Sequence, residues 1–264
     1  MTALTLLHQN QRPVGELLRG WRELRRLSQL DLSLLADVST RHLSFVETGR
    51  SQPSREMVLH LSEQLELPLR DRNQLLLAAG FAPVYPESPL DSPQMAAIMA
   101  AVRQILTAHE PFPAVVVDRR WNMVDANAGI WVLGEGVDPD LFGNTMRAFL
   151  HPDGIAPKIV NLGETRAHVL GRLRRQIALT ADPELAELYE ELKAYPCDQA
   201  EPELDIPGPG DILVPMRIRH GDEELAFFST LATFGHPMDV TVAELAIESF
   251  FPADAHTSEV LRNL

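Results

Sequence analysis

The chain has 264 residues and 37 Asp+Glu against 23 Lys+Arg, a formal charge of -14 that taken alone argues against nucleic acid as a partner. Its single cysteine, Cys197, excludes an internal disulfide framework and fits a reducing compartment. No apolar run approaches the roughly 18–20 residues of a membrane span, and the opening MTALTLLHQNQRP lacks the basic flank and cleavage site of a secretory signal, so a cytoplasmic protein with room for two domains is expected.

In chain order, the first informative stretch is SQLDLSLLADVSTRHLSFVETG, residues 28–49. Leu32 and Leu35 are placed to face a core with Val38, and Leu43 and Val46 mark the inner stripe of a second helix. Small Ser33 falls where two such helices cross closely, and Asp37 tolerates the left-handed backbone of a short turn. Ser39 is positioned to cap the second helix, whose outer face shows Thr40, Arg41, Ser44 and Phe45. Short polar groups with one arginine on an outward face are what a helix needs to meet base edges in the major groove. The charge distribution agrees with this reading: residues 11–73 hold ten basic and nine acidic side chains, so nearly all of the negative charge lies elsewhere. With so small a local excess, DNA binding should rest on a dimer and a specific site.

Gly80 followed by Pro83, Pro86, Pro89 and Pro93 marks an extended connector over 81–93. A helix is expected over 94–109, with Ile98, Val102, Ile105 and Leu106 on one face, either packed on the second domain or forming a dimer seam. Ala114–Val117 and Trp121–Asp125 read as short strands around a turn at Asp118–Arg120. Residues 155–195 are helical in pattern, with a second helix starting at Asp182-Pro183, and 196–211 is a loop. Ile212–Ile218 and Glu224–Phe234 read as a hairpin around His220-Gly221-Asp222, and a helix closes the chain from about Thr257. Strands before and after helices suggest an α+β domain with an antiparallel sheet.

No enzyme signature stands out. His151, Asp153, His220, Asp222 and His236 lack metal-ligand spacing and read as solvated turn residues. Cys197 has no sequence context of a nucleophile. Pro207-Gly208-Pro209-Gly210 is a turn, and Glu244 and Glu248, four apart, read as the solvated face of a helix.

Two resemblances follow from these residues. Ser28-Gln29 opening the second helix, Glu47-x-Gly49-Arg50 closing the third and Pro53-Ser54 opening the fourth make residues 14–78 similar to the five-helix domain of phage-repressor (Cro/C1, XRE-type) regulators. The strand–turn–strand at 114–125 followed by Asn127 resembles the opening of a PAS sensor domain. With ELAFFSTLATFGHPMDVTVAELAIESFFPAD and NQLLLAAGFAPVY, the chain from about residue 10 to 264 resembles the MmyB-like branch of XRE regulators. It departs from many relatives in having DQAEPELDIPGPG in place of a Trp-x-x-His-Asp-Val motif.

The resemblance implies an all-α repressor-like helix-turn-helix domain at 10–80, the Pro-rich linker at 81–93, and an α+β PAS-like ligand-binding domain at 94–264. It implies a homodimer on a double-stranded DNA operator, away from membranes, with Arg22, Gln29, Ser39, Thr40, Arg41, Ser44, Phe45, Thr48 and Arg50 on the DNA side. Gln29 would hold a phosphate, and Arg22 and Glu47 would pair between helices. No cofactor or metal is required, and the implied ligand is lipid-like, a fatty acid. The residues nominated for its pocket are Val117, Trp121, Phe142, Met146, Phe149 and Leu173, then Ile177, Met216, Phe228 and Phe234, with Val115, Leu213 and Phe227 as further apolar candidates. Arg217 is the nominated head-group partner, with Arg219, Arg172 and His168 as alternatives. Two other readings of the second domain stand beside this one: a module serving only dimerisation or protein contacts, and a PAS sensor of haem or flavin.

Overall fold

The structure, a computed structural model, describes residues 12–202 and 213–264. The opening residues 1–11, the expected Pro207–Gly210 turn and most of the expected 196–211 loop lie outside the described residues. The chain divides into two compact units, one made of the residues up to Ser88 with His236–Ala243, the other of Pro89–Gly235 and Glu244–Leu264.

The first unit contains five helices, α1 (Val14–Leu24), α2 (Gln29–Leu35), α3 (Thr40–Glu47), α4 (Arg55–Gln64) and α5 (Leu69–Ala78). Serines open three of them. Ser28, Ser39 and Ser54 each accept a backbone N–H from three residues on, and Asp31 returns the favour to the Ser28 N–H, which satisfies otherwise orphaned donors. Leu18, Leu32, Leu43, Val46, Val58 and Leu61 form the centre of the core. Asp37 adopts a φ of 50° in the turn between α2 and α3. Leu35, expected inside, is instead exposed. The inward arc of α2 runs through Leu32, Ser33 and Ala36, and Leu35 falls off that arc by helical geometry. Ser33 does occupy the crossing, its Oγ 2.8 Å from the Thr40 Oγ1. At the other end of the motif, a Cβ on Gly15 would collide with the Val46 and Glu47 carbonyl oxygens, so glycine lets α1 approach the end of α3. Within this unit the 236–243 segment is tied to the linker: Val240 N–H donates to the Pro86 carbonyl at 2.8 Å, and the Thr241 hydroxyl to the Ser88 carbonyl at 2.8 Å.

The second unit opens with α6 (Ala96–Ala108) and is built on a five-stranded antiparallel sheet of order β2-β1-β5-β4-β3. The strands are β1 (Ala114–Val117), β2 (Met123–Ala126), β3 (Met216–His220), β4 (Glu223–Thr233) and β5 (Ala246–Pro252). Short helices α7 (Ile130–Gly134) and α8 (Thr145–Leu150), then long α9 (Leu162–Thr180) and α10 (Pro183–Ala194), lie between β2 and β3. Helix α11 (Val240–Glu244), all but its last residue belonging to the first unit, precedes β5 in the chain, and α12 (Ala255–Arg262) follows β5. This is the expected α+β, PAS-like arrangement, with the apolar inner faces of sheet and helices in one core.

Three sequence readings are corrected here. Trp121 is not on a strand: it sits at φ 67° in a turn that the Asp118 carboxylate organises by accepting the Arg120 and Asn122 N–H groups. The helical run starts at Leu162 rather than 155, since Pro157 allows only a short turn there and Ile159 bridges to Ile218. Glu248 is on no helix. It lies in β5, the central strand, opposite Val115 of β1 and Leu231 of β4. Among the described residues no helix is long and apolar enough to cross a membrane.

Candidate functional site

Two features stand out, one in each unit. On α3, Arg41 is exposed and its guanidinium lies 5.3 Å from the centroid of the half-buried Phe45 ring, with Arg50 on the same ring at 5.9 Å. Ser44 is beside them. Thr40 and Thr48 are less available than the sequence suggested, because Thr40 meets Ser33 and the Thr48 hydroxyl donates to the Ser44 carbonyl at 2.7 Å. Ser39 serves as the α3 cap. A helix of this kind presents two guanidiniums, a hydroxyl and an aromatic edge, a set able to contact phosphates and base edges.

Arg22, counted on the DNA side from the sequence, is buried and faces inward. Its Nε and Nη2 donate to Glu47 Oε1 at 2.7 Å and Oε2 at 2.9 Å, and its Nη1 donates to the Leu27 carbonyl at 2.7 Å. The Glu47 hydrogen bonds hold the Arg22 guanidinium even more firmly protonated than usual. Gln29 Nε2 also donates to Glu47 Oε2, at 2.8 Å. This bidentate pair joins α1 to α3 and fixes the angle at which α3 is held.

In the second unit a cavity of about 120 Å³ lies between the sheet and the helices. Its apolar wall includes Phe142, Met146 and Phe149 of the α8 region, and Met216, Phe227 and Phe228 of the β3–β4 hairpin. Thr165, His168, Val169 and Arg172 enter from α9, at spacings that share one helix face. Leu213 and Val214, both more than half exposed, also line it. Apolar cavities of roughly 150 Å³ stay dry and take up small aromatic guests. This one is of that order.

Eight of the apolar candidates line this cavity, Val115, Phe142, Met146, Phe149, Leu213, Met216, Phe227 and Phe228, as do two of the alternative head-group partners, Arg172 and His168. Val117, Trp121 and Leu173 are instead buried in the surrounding core, and Ile177 packs against it. Phe234 lies beyond the end of β4, away from the lining. Arg217 is corrected outright. Side chains alternate along β3, so Met216 and Ile218 point inward while Arg217 is exposed and pairs with Glu224 at 3.2 Å. The cation on the cavity wall is Arg172. Its Nη1 donates to Glu248 Oε1 at 2.8 Å, the Ser229 hydroxyl donates to the same oxygen at 2.9 Å, and the guanidinium lies over the Trp121 ring. Sequence reasoning missed Glu248 and Ser229, because only the pairing of β5 with β1 and β4 turns them toward Arg172.

Among the described residues no three His, Cys, Asp or Glu side chains converge to hold a metal ion. His151 approaches Asp153, while His220 approaches Glu135, each separate from the cavity.

Comparison with known proteins accords with this division of labour. Residues 18–71 match the helix-turn-helix family, and residues 98–264 match the family described as the MmyB-like transcription regulator ligand binding domain. No curated protein matches the chain.

Proposed function

The chain belongs to the MmyB-like transcription regulators, and on that premise we propose a sequence-specific, homodimeric regulator whose operator affinity responds to an aliphatic, fatty-acyl-type small molecule held in the second domain. It is a DNA-binding protein with a ligand-binding domain; the chemical class of the ligand, the dimer and a cytoplasmic site of action are our reading. The observation that carries it is the cavity: a predominantly apolar wall rich in Phe and Met, with most of its polar groups on α9, β4 and β5. Such a shape suits a chain with one polar end. Each methylene buried there contributes about 0.8 kcal/mol, before the cost of ordering the ligand. At about 120 Å³ the cavity encloses only part of a long chain.

Binding changes DNA affinity only if the ligand favours one of two states of the protein over the other. The test is direct. Small molecules extracted from purified, denatured protein are identified by mass spectrometry, and an operator is selected from random duplexes. Operator affinity is then measured with and without the extracted molecule. Recovery of an aliphatic molecule that shifts operator affinity supports the reading. A protein that carries none, and whose melting temperature no aliphatic probe raises, supports a second domain that serves only dimerisation or protein contacts.

A further inference from the structure

Among the α3 residues that reach solvent, Phe45 is the one whose side chain can neither donate nor accept a hydrogen bond. We infer that Phe45 determines specificity: its ring reads the 5-methyl group of a thymine in the major groove of the operator. This rests on the sequence-specific DNA-binding reading above and assigns one chemical feature that the operator carries.

Core packing does not account for the ring. Leu43 and Val46 are the α3 side chains in the core of the first unit, and Phe45 is not among the half-buried side chains that pack against that core. What covers the ring is charge. Arg41, one helical turn earlier, brings its guanidinium to 5.3 Å from the ring centroid. Arg50 reaches the same ring at 5.9 Å by another route: Gly49, at a φ of 71°, turns the chain back, and the Arg50 N–H donates to the Phe45 carbonyl at 2.8 Å. Both arginines are exposed, and among the described residues neither is paired with a carboxylate. The surface is an apolar disc flanked by two available cations.

A duplex offers few partners for the disc. Phosphate oxygens and the polar base edges suit arginine and serine, and a phenyl ring gains no hydrogen bond from them. The apolar feature of the major groove is the thymine methyl. The minor groove carries none, and apolar side chains that enter it act as wedges between base steps, which is not how a helix laid in the major groove binds. The guanidiniums on the ring favour the same contact: as they meet phosphates or guanine edges they hold the ring against the neighbouring bases and exclude water from it. A methyl buried there is worth about as much as one buried methylene, ~4-fold in affinity.

The experiment uses the full chain and an operator selected from random duplexes. Each thymine of the selected site is replaced singly by deoxyuridine, which removes the methyl and keeps every pairing and groove hydrogen-bonding group. Fluorescence anisotropy then gives the affinity of the wild-type chain and of Phe45→Ala for each duplex, a cycle between one side chain and one methyl. At one or more thymines the wild-type chain should lose ~4-fold on deoxyuridine, and Phe45→Ala should bind the two duplexes equally. An operator with no deoxyuridine-sensitive thymine overturns the inference and leaves sequence-specific binding intact. So does a set of sensitive thymines that all stay equally sensitive in Phe45→Ala, because another side chain then reads the methyl. Should Phe45→Ala fail to fold, Phe45→Gln removes the ring while keeping a long side chain, and the same two outcomes apply to it. Selection that enriches no sequence overturns the sequence-specific reading and this inference with it.

Discussion

Each unit of this protein pairs an arginine with a buried glutamate, and the two pairs differ in how fully they are closed. Arg22 and Glu47 are closed on themselves: two parallel bonds that engage both carboxylate oxygens, a third bond from Arg22 to the Leu27 carbonyl, and Gln29 donating to Oε2 as well. Arg172 and Glu248 share one bond, with the Ser229 hydroxyl donating to the same carboxylate oxygen, and border a cavity. The first pair has the geometry of a structural joint. The second is joined by a single bond at the wall of the cavity. A third pair, Arg147 with Glu191, is also bidentate, at 2.8 Å for each bond, but stands partly in solvent.

The largest effect should come from breaking the closed pair. Glu47→Ala leaves Arg22 charged, buried and without its carboxylate, a loss of about 3–5 kcal/mol in chemical denaturation of the first unit. Adding Arg22→Met should recover much of it in a double-mutant cycle. Strict additivity would show that the two side chains do not act as a joint.

Filling the cavity is the next test. Met216→Trp overpacks the wall at a cost of about 1–3 kcal/mol, and it should abolish any ligand-induced rise in melting temperature while operator binding without ligand persists. Retention of the thermal shift would place the ligand elsewhere.

On α3, Arg41→Ala should remove about 1–3 kcal/mol of discrimination between operator and random DNA, with folding stability unchanged. Equal weakening on both DNAs would make Arg41 a phosphate contact rather than a base reader.

The open pair should be cheaper to break than the closed one. Arg172 has 23% of its side chain exposed, so Glu248→Ala lets the guanidinium turn toward water, and we expect a loss of about 1–2 kcal/mol. A loss as large as that of Glu47→Ala would erase the distinction between the two pairs.

The partly exposed pair gives the smallest and most pH-dependent signal. Burial, and then its hydrogen bond to Glu191, push the Tyr195 hydroxyl from 10.0 up to about 12. The folded protein therefore keeps this proton over a range where the unfolded chain loses it. The stabilisation is complete below about 10 and disappears as pH rises through about 12. Glu191 shifts the other way, lowered chiefly by the Arg147 hydrogen bonds, so its share is present above the usual carboxylate range and is lost in acid. Spectrophotometric titration of the protein against Tyr195→Phe should show one late-ionising tyrosine. Glu191→Gln should bring it earlier.

Local physics was legible in the residues themselves. Serine caps, the αL tolerance of Asp37, and the periods of Leu43 and Val46 specify α2 and α3 whatever surrounds them, because caps and periodicity act over three or four residues. The β3–β4 hairpin was readable for the same reason, its two strands meeting at Gly221, which has a φ of 58°. The outward faces of α3 followed directly. So did eight cavity residues, though only as members of an apolar inventory in which core and lining look alike.

What the sequence could not decide was settled by pairing over distance. β5 reads locally as a helix, with Glu244 and Glu248 four apart, and becomes the central strand because β1 and β4 satisfy its backbone on both sides. That one choice turns Glu248 from a solvated carboxylate into the buried partner of Arg172, seventy-six positions away. The two-residue alternation of β3 sends Arg217 to solvent, and helical packing takes Arg22 from the DNA side into the core. Composition and periodicity thus determined most of the helices, the β3–β4 hairpin and the outward face of α3 that carries Arg41 and Phe45, since those depend on neighbours in the chain. Which charges are buried, with what partner and beside which cavity, depends on neighbours in space, and only the tertiary structure decided that.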